Sequence, residues 1–159
     1  RAQTTIFCAG VLDSLAIELR RSKDFSKLCA GIAVLGYIAS ILEPINIQAL
    51  SQLLSFLEHR YPKIRKSAAE QVYLVLLENG NLMSEDKVDK AVEIITETCW
   101  EGDIEEAKSR RLQLCDMANI KIEQILKATN AESNKIVRQT PATADENASY
   151  SSLVGSAGF

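Results

Sequence analysis

Histidine is nearly absent from this sequence, since His59 is the only one among 159 residues. Any Ser/His/Asp or Cys/His catalytic arrangement would have to use this one residue, which we expect to be a solvated surface side chain. The four cysteines have no Cys-x-x-Cys spacing, which argues against a structural zinc site. The seven glycines form no GxxxxGK[ST] or GxGxxG phosphate-binding loop. We therefore expect no enzyme activity, no catalytic residue, no metal and no cofactor in this chain.

Strong net charge and long apolar runs are also missing. The formal net charge is −3, which is too mild for the basic footprint of a nucleic-acid binder. No apolar run reaches the roughly 18 residues that span a bilayer, and no secretory signal pattern is present. The cysteines fall within or beside helical patterns, where a reduced thiol is a small buried hydrophobe. These features predict a cytoplasmic protein without a membrane span, and the first residue, Arg1, favours a piece of a longer chain.

Helical periodicity is what the sequence does contain. Aromatic residues make up only 6%, while Leu, Ile and Ala are abundant, which favours helices over a β-sandwich. Apolar residues recur at helical spacing in six segments, and no alternating strand pattern interrupts them. An all-α fold follows. The predicted helices are 2–20, 25–42, 46–59, 62–79, 85–99 and 103–118.

Particular residues are expected to form the core and the helix ends. Pro62 should open a helix, Ser84 and Asp103 should be N-caps, and Asn79-Gly80 should be a left-handed stop. The expected core residues are Ile6, Leu12, Leu15, Leu19, Leu28, Ile32, Leu35, Ile38, Leu42, Ile47, Leu50, Leu53, Leu54, Leu57, Ile64, Ala68, Val72, Leu76, Val88, Ala91, Val92, Ile95, Ile104, Ala107, Leu114 and Met117.

The predicted helices group into pairs that repeat. The turns within the pairs lie near Asp24, Tyr61-Pro62 and Gly102-Asp103, about 38 and 40 residues apart, a spacing typical of HEAT and armadillo units. In such a unit Arg65 would reach polar groups of the next turn. The sequence thus predicts a HEAT/armadillo-type α-solenoid of about three helix pairs over residues 1–118. For residues 119–159 we expect a short helical extension and then a disordered tail, because small and polar residues dominate there.

Charge is distributed unevenly over the three turns. The third turn is acidic through Glu97, Glu101, Asp103, Glu105 and Glu106, whereas the first two are basic. Consecutive turns of a solenoid lie along one edge, so the two basic turns should be neighbours and attract an acidic surface. Plain solvation and pairing between repeats are the alternative. The residues of this candidate protein-binding edge, here called the basic edge, are Arg20, Arg21, Lys23, Arg60, Lys63 and Lys66.

Trp100, the only tryptophan, lies at the acidic turn. It is a candidate anchor for a partner protein, since buried tryptophans often dominate interfaces. The alternative, which we favour, is that its ring fills the junction between two repeats.

Five motifs carry a resemblance to a known family. They are SKDFSKL at 22–28, YPKIRK at 61–66, AEQVY at 69–73, TCW at 98–100 and RRLQLCD at 110–116. Over about residues 23 to 120, the sequence resembles the C-terminal end of the tubulin-folding cofactor D family of tubulin-specific chaperones.

The resemblance implies a function as well as a fold. Members of this family are large HEAT-repeat chaperones that bind β-tubulin and, with tubulin-folding cofactors C and E, assemble αβ-tubulin heterodimers. The cofactors together stimulate GTP hydrolysis by tubulin, and an Arf-like small GTPase is a further partner. A cytoplasmic, cytoskeleton-associated location is implied, and no individual residue is assigned to tubulin. A generic HEAT-repeat scaffold or adaptor remains the alternative.

Overall fold

The structure, a computed structural model, describes residues 2–41 and 43–120. Within these residues all of the regular secondary structure is helical and no strand is present, which confirms the all-α fold class. The predicted tail from 121 onwards and the predicted core residue Leu42 lie outside the described residues. The helices are α1 (Ala2–Arg21), α2 (Phe25–Ile41), α3 (Asn46–Ser55), a 3-10 turn (Phe56–Glu58), α4 (Pro62–Glu78), α5 (Glu85–Glu97) and α6 (Ile104–Met117).

Polar side chains cap two of the helices at their first turns. Asp24 Oδ1 accepts the N–H of Ser26 at 3.0 Å before α2, and Asp103 Oδ1 accepts the N–H of Glu105 at 3.1 Å before α6. Pro62 opens α4 as predicted, where its missing N–H leaves no bond unmade. Ser84 precedes α5, but its hydroxyl makes no capping bond within the described part of the chain.

The left-handed helix stop lies at a different asparagine from the predicted one. Asn79 ends α4 with φ −120° and instead donates its side-chain amide to the carbonyl of Ala39 at 3.2 Å. The residue with positive φ is Asn119, at 55°, just after α6. The N–H groups of Asn119 and Ile120 bond the carbonyls of Asp116 and Cys115, which is the Schellman pattern. α4 thus ends at Asn79 as predicted, but the left-handed conformation predicted for Asn79-Gly80 was wrong.

The core is thickest where α2, α3 and α4 meet. The four core residues predicted for α4, Ile64, Ala68, Val72 and Leu76, are all buried. A Cβ at Gly36 of α2 would lie 2.6 Å from Gln71 Oε1 of α4, so glycine lets these helices approach closely. Because Gly36 lies beside Gln71 while Asn79 reaches Ala39, α2 and α4 run in the same direction.

α1 and α3 run side by side in the same direction, but they contact each other far less than α2 and α4 do. Gln52 of α3 donates to the carbonyl of Leu12 in α1 at 3.4 Å, and Leu19, further along α1, shares a cavity with Phe56 of the 3-10 turn that follows α3. Two predicted core positions at this side are wrong, since Ile6 is 72% exposed and Ile47 is 37% exposed. No described helix covers the side of α1 that carries Ile6, so periodicity alone overestimated its burial.

The third helix pair packs differently from the first two. α5 packs against α4, while α6 packs chiefly against α3, its 3-10 turn and α5. Arg111 of α6, which is buried, forms an ion pair with Glu58 of the 3-10 turn at 2.9 Å. In a strictly regular stack α6 would lie on α4. Within the described part of the chain, α2 and α4 thus pack in parallel, and in the third pair α5 packs on α4 while α6 packs on α3.

One helix among residues 2–41 and 43–120, α1, is long and apolar enough to cross a membrane, with a mean hydropathy of 1.2. Core helices of soluble proteins and signal sequences near an N-terminus meet the same criterion. The absence of a membrane span therefore stays a prediction.

Candidate functional site

Arg65 joins two turns that are far apart in sequence. Its Nε donates to the Trp100 carbonyl at 2.7 Å, and its Nη2 donates to the Gly102 carbonyl at 3.0 Å. On the other side, its Nη1 donates to the carbonyls of His59 at 2.8 Å and Arg60 at 3.4 Å. The α3–α4 turn (residues 59–61) and the α5–α6 turn (residues 98–103) are therefore fixed side by side. The predicted structural role of Arg65 is confirmed by this geometry.

The chemistry of arginine explains why this position needs it. The Arg65 side chain is buried, and the groups that solvate its charge are four carbonyl oxygens at the ends of the two turns. A planar guanidinium presents five N–H donors in a fixed fork, so it bonds several carbonyls at once without flexing. Lysine has a single ammonium on a flexible stem and would not span both turns in the same way.

The basic edge lies at the exposed surface around the α3–α4 turn. All six of its residues are exposed, and Arg20 lines the same cavity of about 210 Å³ as His59, so the first two turns are neighbours. Arg60 lies over the Tyr61 ring at 4.8 Å and donates to its hydroxyl at 3.1 Å. Lys66 differs from the other five, because it lines a groove between α4 and α5. The binding role of these residues stays a prediction.

His59 is not the solvated surface residue that the sequence suggested. It is partly buried, its Nδ1 accepts the N–H of Tyr61 at 3.1 Å, and its ring stacks on Phe56 with a centroid distance of 6.1 Å. Burial is the main reason that the pKa of His59 is lowered, and the charges of Arg60 and Arg65 lower it further. His59 is thus held neutral in the folded chain at pH 7, and it contributes packing to the turn rather than charge to the basic edge.

Trp100 packs into the junction between α4 and the α5–α6 turn. Its ring is 5% exposed, and its Nε1 donates to the Ile95 carbonyl at 2.9 Å. This geometry agrees with the junction role favoured for Trp100. Its use as a partner anchor stays a prediction.

A groove that sequence reasoning missed lies beside Trp100. It has a volume of about 570 Å³, with α4 on one side and the end of α5 and the following turn on the other. The signal for it was present in α4, where Ala69, Tyr73 and Leu74 are apolar but fall outside the predicted core stripe. The acidic turn supplies the other wall. Periodicity alone could not indicate that these two surfaces face each other.

The four cysteines are all free thiols, in three different environments. Cys8 and Cys115 are buried and Cys29 is intermediate, but Cys99 is exposed in the groove, contrary to the expectation of a buried hydrophobe. Burial raises the pKa of the Cys115 thiol, and the nearby charge of Arg111 partly opposes this. Cys99 is therefore the most accessible thiol for chemical labelling among the four.

Within the described ranges, no group of three His, Cys, Asp or Glu side chains is arranged to hold a metal ion. No family model matches this chain, and no solved structure matches it significantly. The fold and the two joined turns are therefore the observations on which a function must rest.

Proposed function

We propose that this chain is a protein-binding module of helical repeats, an α-solenoid segment that presents the basic edge to an acidic client. The observation that carries the proposal is the Arg65 clamp, since consecutive turns tied along one edge are what a solenoid of stacked pairs requires. The parallel packing of α2 with α4 supports it as well. A long exposed edge suits recognition of a folded or partly folded protein.

The client follows from the resemblance to tubulin-folding cofactor D. We propose that it is β-tubulin, whose acidic surface would be attracted by the basic edge. Tubulin-folding cofactors C and E and an Arf-like small GTPase would join the assembly, in the cytoplasm and near the cytoskeleton. GTP hydrolysis would then be promoted by the complete assembly acting on tubulin. This chain alone should leave the hydrolysis rate of tubulin unchanged.

The basic edge can be tested without disturbing the groove. In the chain carrying Arg60→Glu and Lys63→Glu, we expect binding of β-tubulin to weaken about tenfold or more, because attraction becomes repulsion. The wild-type interaction should also weaken as salt rises. Affinity would be measured with purified β-tubulin at two salt concentrations. Lys87→Glu with Lys90→Glu is the matched control, because both lysines are exposed on α5, away from the edge.

Equal binding by the edge variant and the control, without salt dependence, would rule out the basic edge as the client site. Mass spectrometry of the proteins that this chain retains from a cell extract addresses the client itself. Retention of other proteins, without tubulin or the small GTPase, would support the generic scaffold instead.

A further inference from the structure

The groove beside Trp100 shares only Lys66 with the basic edge. We propose that the groove between α4 and the α5–α6 turn binds an amphipathic helix of a partner protein, with lysine or arginine beside its apolar stripe. This partner is chemically different from an acidic client, so the proposal does not depend on the function proposed above. Three features of the groove carry it: its floor, its charge and its rigidity.

The floor of the groove is apolar and partly open. Tyr73 and Leu74 of α4 face Ile95 and Trp100 across it, and Leu74 is 45% exposed. The volume of about 570 Å³ lies within the roughly 300–1,000 Å³ of typical binding sites. Apolar area left in water at such a site becomes favourable to bury once a matching surface covers it.

The charges that line the groove favour a basic occupant. They are one lysine, Lys66, and two glutamates, Glu70 on α4 and Glu101 on the facing turn. Both glutamates are exposed, and neither forms an ion pair in the part of the chain that the structure describes. Glu97 and Glu106, which lie close to the α5–α6 turn in the sequence, are also exposed and negatively charged. Lysine or arginine side chains of the partner would find a carboxylate on either wall of the groove.

The wall of the groove is held in place before any partner arrives. Arg65 bonds the carbonyls of Trp100 and Gly102 on either side of Glu101, and the Trp100 indole bonds Ile95. A preformed wall reduces the ordering that binding would otherwise require. The affinity of the partner helix should therefore depend on these bonds.

A helix fits this groove better than an extended peptide. One common mode for an extended peptide, the addition of a strand to a sheet edge, needs a strand, and residues 2–41 and 43–120 contain none. The backbone of α4 is occupied by its own helical bonds, so the groove offers side chains instead. Recognition through apolar side chains spaced at i, i+3, i+4 and i+7 is the mode that such a surface supports.

The test uses the full 159-residue chain and two synthetic peptides. Both are about 18 residues long, enough to hold a helix, with leucines at i, i+3, i+4 and i+7 and with either lysine or glutamate at the flanking positions. Binding is followed by the fluorescence of Trp100, the only tryptophan, and by the alkylation rate of Cys99. We expect the lysine peptide to bind and to slow alkylation of Cys99 several-fold, and the glutamate peptide to bind much more weakly.

Matched variants locate the binding site. Glu70→Lys with Glu101→Lys should weaken binding of the lysine peptide about tenfold. Glu78→Lys with Glu93→Lys should leave the affinity unchanged, because both residues are exposed but lie outside the groove. Leu74→Ala should also weaken binding of the lysine peptide. Leu77→Ala is its control and should not, because Leu77 is 58% exposed but lies outside the groove lining. Equal binding of the two peptides, or equal losses in variant and control, would overturn the proposal. So would a dimer of this chain that Leu74→Ala dissociates, because the occupant would then be a second copy.

The two proposals fail separately. Arg60→Glu with Lys63→Glu leaves every residue of the groove lining unchanged. If that variant still binds both β-tubulin and the lysine peptide, only the function of the basic edge is refuted. If the wild-type chain binds tubulin but not the lysine peptide, only the groove is refuted.

Discussion

The α3–α4 turn and the α5–α6 turn lie side by side, yet they differ in almost every chemical respect. The first carries Arg60 and is followed by Lys63, and its histidine is partly buried and neutral. The second carries Glu101 and Asp103 and exposes the thiol of Cys99. What they share is the Arg65 side chain, which bonds carbonyls of both. Two surfaces of opposite charge are thus positioned by one buried cation.

In these two turns, helix packing is separated from surface charge. The exposed side chains of the two turns differ in charge and make few bonds to the core. The backbone carbonyls beneath them are tied to Arg65, whatever the side chains above them are. Surface charge can therefore vary from turn to turn without loss of the stacking. Each prediction below alters one part of this arrangement.

The largest effect is expected from removing the cation that both turns share. Arg65→Ala leaves the buried carbonyl of Trp100 and the partly buried carbonyls of His59 and Gly102 without their donor, and a buried carbonyl that loses its partner costs about 1–3 kcal/mol. We expect a destabilisation of about 3 kcal/mol or more, measured by urea unfolding followed through Trp100 fluorescence.

Arg65→Lys is the informative control for that change. It keeps the positive charge but loses the planar fork, so its destabilisation should be smaller than that of Arg65→Ala and still measurable. A loss of less than about 1 kcal/mol in Arg65→Ala would show that the two turns are held by other contacts.

An effect of similar size is expected in α4, the helix that contributes residues to both surfaces. Leu76 of α4 is 2% exposed, so Leu76→Ala should cost about 2–5 kcal/mol in the free energy of unfolding. Leu77 follows it in the chain and is exposed, so Leu77→Ala should change stability by about 0.5 kcal/mol or less. Denaturant unfolding of both variants compares them directly. Similar losses at the two positions would mean that the register of α4 is different.

The helices themselves were predictable because their signals are local. Apolar residues at 64, 68, 72 and 76 lie three or four apart on one face, and Asp103 bonds an N–H two residues away. The charge of each turn could also be read from residues close in sequence. Such features depend on neighbours within one or two helical turns, and a single sequence displays them directly.

The rest depended on contacts between distant parts of the chain. Asn79 bonds Ala39, 40 residues away, and so serves packing rather than a left-handed stop. Arg111 pairs with Glu58 and draws α6 onto the 3-10 turn, a contact with no local signature. The groove was missed for the same reason, since its walls come from α4 and from residues after α5. Long-range partners of this kind are chosen by the whole fold and not by periodicity.

The smallest predicted effect concerns His59 and pH. Burial, Arg60 and Arg65 lower the pKa of His59 below 6.5, whereas in the unfolded chain it should titrate near its ordinary value. Above about pH 6.5 the His59 ring is mainly neutral in both the folded and the unfolded chain, so its titration does not reduce the free energy of unfolding there. As pH falls below that value, the unfolded chain gains the proton more readily, and the free energy of unfolding decreases.

His59→Asn isolates this contribution, because the Asn side-chain oxygen can accept the Tyr61 N–H in place of Nδ1. Urea unfolding of both chains at pH 7.5 and pH 5.5 should show a larger decrease for the wild type, since carboxylate titrations are common to both and cancel in the difference. Arg60→Gln should reduce the pH-dependent decrease in the free energy of unfolding towards that of His59→Asn, because one charge that disfavours protonation of His59 is removed. Glu101→Gln in the acidic turn is the control. Glu101 is not among the residues that shift the pKa of His59, so this variant should show the same pH-dependent decrease as the wild type. An identical decrease in the wild type and His59→Asn would mean that the ring is as accessible to water in the folded chain as in the unfolded one, and the basic turn would then be looser than its bonds to Arg65 imply.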